Sequence, residues 1–176
     1  GQKKVIEYVD SICQEPYELV EKKSVERHPD NMQYSFRTVN RDLSFQANSY
    51  LSPIWIDATQ TSFYSRELSC SYVSAVREQY SEELQEVLTA SDLYLEEHGW
   101  IYLLSFSDID RVIETILEAD KVYQQELEYN SKEFLQEHPL FSVHLVWHRS
   151  EAEAEAHDSW VNITDIGITG QNQKEE

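Results

Sequence analysis

The chain has 176 residues, enough for one domain with a substantial core, and its 33 Asp and Glu against 14 Lys and Arg give a net charge of −19. Such a field repels phosphate backbones and anionic membrane surfaces, which disfavours nucleic acid as a ligand, and it steers in cationic protein surfaces. Four glycines and no G-x-G-x-x-G or G-x-x-x-x-G-K-[ST] run disfavour nucleotide folds, and no run approaches the ~20 apolar residues of a membrane span.

Val5, Ile6, Val9, Ile12 and Cys13 predict a short amphipathic helix that begins near Lys3 and is ended by Pro16. Tyr17 to Val25 reads as a strand and Arg27 to Asn31 as the turn after it. Met32 to Val39 and Leu43 to Leu51 alternate apolar and polar residues around Asn40, Arg41 and Asp42, the pattern of a hairpin with one wet face. Pro53 predicts a bend, because proline is confined to sheet edges and bulges. Thr61 to Leu68 is a further strand, and Tyr72, Val73, Val76, Tyr80, Leu84, Val87 and Leu88 trace one helix to about Ala90.

Asp92 to Glu97 connects into the strong strand Gly99 to Phe106. Ser107 to Glu128 is the most one-sided stretch of the chain: Ile109, Val112, Ile113, Ile116, Leu117, Tyr123 and Leu127 share one side, with Ser107 placed to cap the first turn. Asn130 to Glu137 continues helical, and Pro139 precedes the strand Phe141 to Arg149. Glu151 to Asp158 (EAEAEAHD) reads as a hairpin loop, Trp160 to Ile166 as the last strand, and residues 171–176 as a frayed tail. Strand runs broken by helices indicate α+β, one domain over residues 1–170, with helices gathered on one sheet face and the other face bare.

No catalytic constellation emerges. His144 and His148, with His157 and Asp158 nearby, are the first metal candidates, but residues four apart on a strand lie ~13 Å apart, too far for one ion. Carboxylate pairs such as Glu82 and Glu83, Glu96 and Glu97, and Asp108 and Asp110 fall on solvated helix faces, caps and loops rather than in contrasting environments of a cleft. Cys13 and Cys70 are too few and too far apart for a zinc site of usual spacing. They either pair or stand as two buried thiols, the second reading being favoured, and nothing local marks Cys70 as activated. Asn162, Ile163 and Thr164 form a glycosylation sequon, which matters only in a eukaryotic secretory pathway. No metal, cofactor or enzymatic activity is expected.

What remains is the bare face. If helices cover Tyr34, Phe36, Phe45, Ala47, Ile101, Leu103, Leu145 and Trp147, alternation puts Gln33, Ser35, Arg37, Gln46, Asn48, Tyr50, Trp100, Tyr102, His144, His148, Trp160 and Asn162 on the opposite side. Tyrosine, tryptophan, histidine and amides are the chemistry of protein recognition surfaces.

The succession of a short helix, hairpin strands, LSPIWID (Leu51 to Asp57), a helix, GWIYLLSF, SDIDRVIETILEAD and FSVHLVW resembles small membrane-anchored extracytoplasmic proteins of Gram-positive bacteria. More narrowly, it is similar to the TipC family of streptococcal immunity proteins, which protect the producer from TelC, a lipid II phosphatase toxin exported by type VII secretion. The resemblance spans nearly the whole chain at the level of pattern. It implies a crescent of three helices on a single curved, mainly antiparallel sheet of about seven strands whose concave face binds the toxin. It also implies a monomer, held at the outer face of the membrane by an N-terminal segment; the start at Gly1 rather than Met fits an anchor that precedes this sequence. The expected function is therefore stoichiometric inhibition of a protein toxin with a basic contact surface, in interbacterial competition. The alternatives are an acidic DNA mimic that inhibits a nucleic-acid-binding protein, an extracytoplasmic lipoprotein-like binding module with another partner, and an extracytoplasmic hydrolase.

Overall fold

A computed structural model describes residues 1–26, 28–95, 100–103, 105–139, 141–150, 152 and 161–172. The chain divides into two compact units, Gly1–Val76 and Arg77–Glu176, where the sequence pattern led to one domain over residues 1–170. The α+β class holds, but the strands form two four-stranded sheets, one in each unit, in place of the expected single curved sheet of about seven.

The N-terminal unit is a meander. After α1 (Gln2–Asp10) come β1 (Tyr17–Val25), β2 (His28–Thr38), β3 (Ser44–Ile56) and β4 (Thr61–Cys70), each antiparallel to the next. Two residues with short polar side chains or amides, Asp42 (φ 58°) and Gln60 (φ 52°), supply left-handed conformations at the β2–β3 and β3–β4 turns. The predicted turn at Arg27–Asn31 is shorter than expected, since His28 already pairs with Val25. Alternation sends Tyr34 and Phe36 of β2 and Phe45 and Ala47 of β3 inward, all 3 % exposed or less. The Phe36 and Phe45 rings stack at 5.3 Å, and Tyr17 and Tyr72 meet them edge-on at 5.3 and 5.2 Å. Val5 and Val9, one turn apart on α1, close this core against β3 and β4.

Pro53 does not bend β3. The strand runs through it, because β2 stops pairing with β3 at Ser49 and leaves proline on an open edge where no N–H is required.

The C-terminal unit begins within α2 (Tyr72–Gln79), which is followed by α3 (Ser81–Ala90), β5 (Tyr94–Leu95), β6 (Trp100–Leu103), α4 (Ile109–Gln124), α5 (Lys132–Glu137), β7 (Phe141–Trp147) and β8 (Val161–Ile168). The helix expected from Tyr72 to Ala90 breaks at Tyr80, which leaves helical angles (φ −103°, ψ 0°) while its buried hydroxyl donates to Glu126 Oε2 at 2.7 Å. The expected cap at Ser107 lies two residues earlier, at Ser105. Ser105 accepts the Ser107 N–H at the head of a 3-10 turn, Phe106–Asp108, and α4 starts after it.

On α4 the buried side comprises Val112, Thr115, Ile116, Ala119, Asp120, Val122 and Tyr123. Ile109 and Leu127, assigned to that stripe, are 37 % and 38 % exposed at its two ends. Ser131 caps α5 by accepting the Phe134 N–H. The sheet is mixed in direction: β6 and β7 are parallel, with α4 and α5 as the crossover, and β5 and β8 run antiparallel to them.

Consecutive residues on β7 point to opposite sides, and both Leu145 (6 % exposed) and Val146 (0 %) are buried, as are Val143 and His148. The second sheet is thus covered on both sides at this end of β7, contrary to the expectation that helices serve one face only.

Just past β8, Thr169, Gly170 and Asn172 are tied to Asp120 of α4, while residues 173–176 of the expected frayed tail lie outside the described residues. Gly170 adopts φ +76°, and a Cβ placed there would lie 3.1 Å from Gln124 N and 3.2 Å from Gln124 Cα. Gly170→Ala therefore combines a left-handed alanine with a clash against backbone, and is expected to cost about 2 kcal/mol or more in a urea titration.

Candidate partner-binding surface

The twelve residues assigned to a bare face separate when placed on the structure. Six of them, Gln33, Ser35, Arg37, Gln46, Asn48 and Tyr50, lie together on the side of the N-terminal sheet opposite Tyr34, Phe36, Phe45 and Ala47. They are half-buried or exposed, and the register joins them: Gln33 pairs with Asn48 and Ser35 with Gln46, while Gln33 Nε2 donates to Gln46 Oε1 at 2.8 Å across the diagonal. Arg37 Nε lies 3.2 Å from Asp42 Oδ1 in an exposed pair. Ser35, Arg37, Ser44 and Gln46 also line, with Val20 where β1 bulges, a shallow hollow of about 310 Å3.

Trp100, Tyr102, His144 and Asn162 belong to the second sheet, where their backbones are near neighbours. Trp100 pairs with His144, Tyr102 with Val146, and Val146 with Asn162. His148 is a correction: it is 1 % exposed, its N–H donates to the Leu103 carbonyl at 3.2 Å, and it forms part of the interior rather than a surface. Trp160, and with it the loop Glu151 to Asp158 except Ala152, lies outside the described residues.

The strongest polar constellations are ones the sequence did not mark. Glu15 is 5 % exposed, and its Oε1 accepts from Arg41 Nε at 3.0 Å, from Arg41 Nη2 and from the Tyr72 hydroxyl at 2.7 Å. Glu126, fully buried, accepts from Tyr80 and from Asn130 Nδ2. Asp120, 1 % exposed, accepts four hydrogen bonds from Thr169, Gly170 and Asn172. Glu15 and Asp120 are held by neighbours from distant parts of the chain, and Glu126 by the distant Tyr80 and the nearby Asn130. These are structural knots.

Both cysteines are free thiols. Burial pushes the Cys13 thiol up to about 11 and raises that of Cys70, so both stay protonated near neutral pH and are poor nucleophiles. Among the described residues, no group of three or more His, Cys, Asp and Glu comes together to hold a metal ion, and no helix is long and apolar enough to cross a membrane.

Charge is divided unevenly between the units. Residues 1–76 carry eight Lys and Arg against ten Asp and Glu, a net −2, whereas residues 77–176 carry six against 23, a net −17. The open face of the first sheet is therefore close to neutral in its own unit, and the long-range field of the chain originates in the other. Compared with family models, curated proteins and solved structures, the chain matches none.

Proposed function

We propose that this protein is an immunity protein, not an enzyme, that neutralises a type VII secreted antibacterial toxin by stoichiometric binding at the outer face of the cell membrane. The supporting observation is the uncovered face of the N-terminal sheet, where amides and hydroxyls of Gln33, Ser35, Gln46 and Asn48 stand beside Arg37 and Tyr50. Such a face offers hydrogen-bond donors and acceptors on rigid strands with an aromatic anchor at one end, the composition of a recognition surface. The −19 charge accelerates encounter with a basic toxin and contributes little to specificity by itself.

The test is titration of the purified toxin encoded beside this gene. One-to-one binding is expected, with Tyr50→Ala and Arg37→Glu each weakening it by about 10-fold or more. Undiminished binding by both variants rejects this face. A second reading, a DNA mimic acting on a nucleic-acid-binding protein, draws on the net −17 of residues 77–176. It requires that duplex DNA compete with this chain for its partner, which the immunity reading does not.

A further inference from the structure

Past Ser49, β3 loses β2 as a neighbour, yet Tyr50–Ile56 stays paired with Thr61–Glu67 in an unbroken two-stranded arm. Between residues 50 and 65 the only charged side chain is Asp57, in the turn. The arm exposes Trp55 (56 %), Tyr64 (68 %), Phe63 (49 %), Ile54 (37 %) and Ile56 (39 %). Directly opposed residues share a face, so Ile54 with Phe63 occupies one side, while Tyr64, opposite Pro53, and Trp55, opposite Ser62, occupy the other. Summed over both sides, the area these side chains lay open is roughly 500 Å2, most of the ~800 Å2 that one partner contributes to a stable interface.

We infer that this arm enters an apolar, two-walled cleft in a cationic protein partner, an inference that rests on the immunity reading and names the feature of the toxin that is engaged. A flat surface would cover one side of the ribbon and leave the other wet, whereas a cleft covers both. Strand addition to β3 is blocked. The Leu51 N–H points away from β4 and is accepted by Asn31 Oδ1 at 3.0 Å; Pro53, two residues on and facing the same way, has no N–H to offer. A second copy of the chain meets the repulsion of two −19 charges, which a cationic partner converts to attraction. Lipid is disfavoured because the turn that would lead insertion carries Asp57, Thr59 and Gln60, with unpaired strand edges behind it.

The experiment titrates the same purified toxin into the full chain and into Trp55→Ser and Phe63→Ser, one substitution on each side of the arm, with Trp55→Phe as the conservative control. Both side chains are exposed, so thermal melts are expected to coincide with that of the parent. Each serine variant is expected to bind at least 30-fold more weakly, and Trp55→Phe within a few-fold. Loss on one side only overturns the two-walled cleft. Full binding by both variants overturns the arm and leaves the immunity reading standing, whereas a parent chain that does not bind the toxin overturns both. A dimer in sedimentation that Trp55→Ser dissociates, or a blue shift of tryptophan emission on phosphatidylcholine vesicles, also overturns the inference in favour of a second copy or of lipid.

Discussion

Arg41→Met is expected to destabilise the N-terminal unit by about 3–5 kcal/mol, read as a fall in the urea midpoint at unchanged slope. The Arg41 and Glu15 side chains are only 5 % and 1 % exposed, and three stretches of chain converge on one carboxylate oxygen: the segment after α1, the β2–β3 turn and the head of α2. The second oxygen, Glu15 Oε2, is buried without a hydrogen-bond partner, so the carboxylate depends on the guanidinium for compensation. Removal of Arg41 strands a negative charge in an aromatic interior, where desolvation outweighs the one remaining bond from Tyr72. The double substitution Glu15→Met with Arg41→Met should recover most of the loss, because apolar replacement of both partners removes the penalty with the pair. A loss under about 1 kcal/mol for Arg41→Met alone would show that water reaches Glu15 and that the pair is ornamental to stability.

Asp120→Ala should cost about 3 kcal/mol and release residues 169–172 from α4. The Asp120 carboxylate faces the backbone N–H groups of Thr169, Gly170 and Asn172 at 2.9–3.0 Å and the Asn172 side-chain amide at 2.6 Å. Alanine leaves the buried Gly170 N–H and the part-buried Thr169 and Asn172 N–H groups without their acceptor, while Asn172 Nδ2 keeps the Gly167 carbonyl, and the buried donor carries a desolvation cost comparable to the bond lost. Asp120→Asn should fall between the two, since it keeps one acceptor oxygen but turns an N–H2 group toward a donor. Amide hydrogen exchange is the direct readout. The three amides are expected to exchange by global unfolding in the parent and by local opening in Asp120→Ala, and unaltered protection would refute the latch.

Sequence pattern was most informative where one side of a strand is wet. Tyr34, Phe36, Phe45 and Ala47 alternate with Gln33, Ser35, Gln46 and Asn48, and a period of two assigns both faces of β2 and β3 without further information. The same rule misplaced His148, because β7 is buried on both sides near its end and a strand in that position shows no alternation to read. The division into two sheets was not legible either. The parallel pairing of β6 with β7 is made by the crossover through α4 and α5, and nothing in WIYL or FSVHLVW announces direction. Glu15, Asp120 and Glu126 escaped notice because acidic residues are ordinarily solvated and the groups that satisfy Glu15 and Asp120 lie far along the chain. The exposed arm left a trace, a run of Ile54, Trp55 and Ile56 beside Phe63 and Tyr64, but its openness depends on where β2 stops, which no local pattern records.

The topology has a consequence for the order in which the chain acquires structure as it is synthesised. In the first sheet every strand is joined to the next by a short hairpin, so all its pairings can close once Cys70 has emerged. In the second, β6 must wait for β7 to pass two helices before it gains its parallel neighbour, and β8 completes the set only near the C-terminus. The half that bears the aromatic ribbon is thus topologically free to mature while the acidic half is still being made.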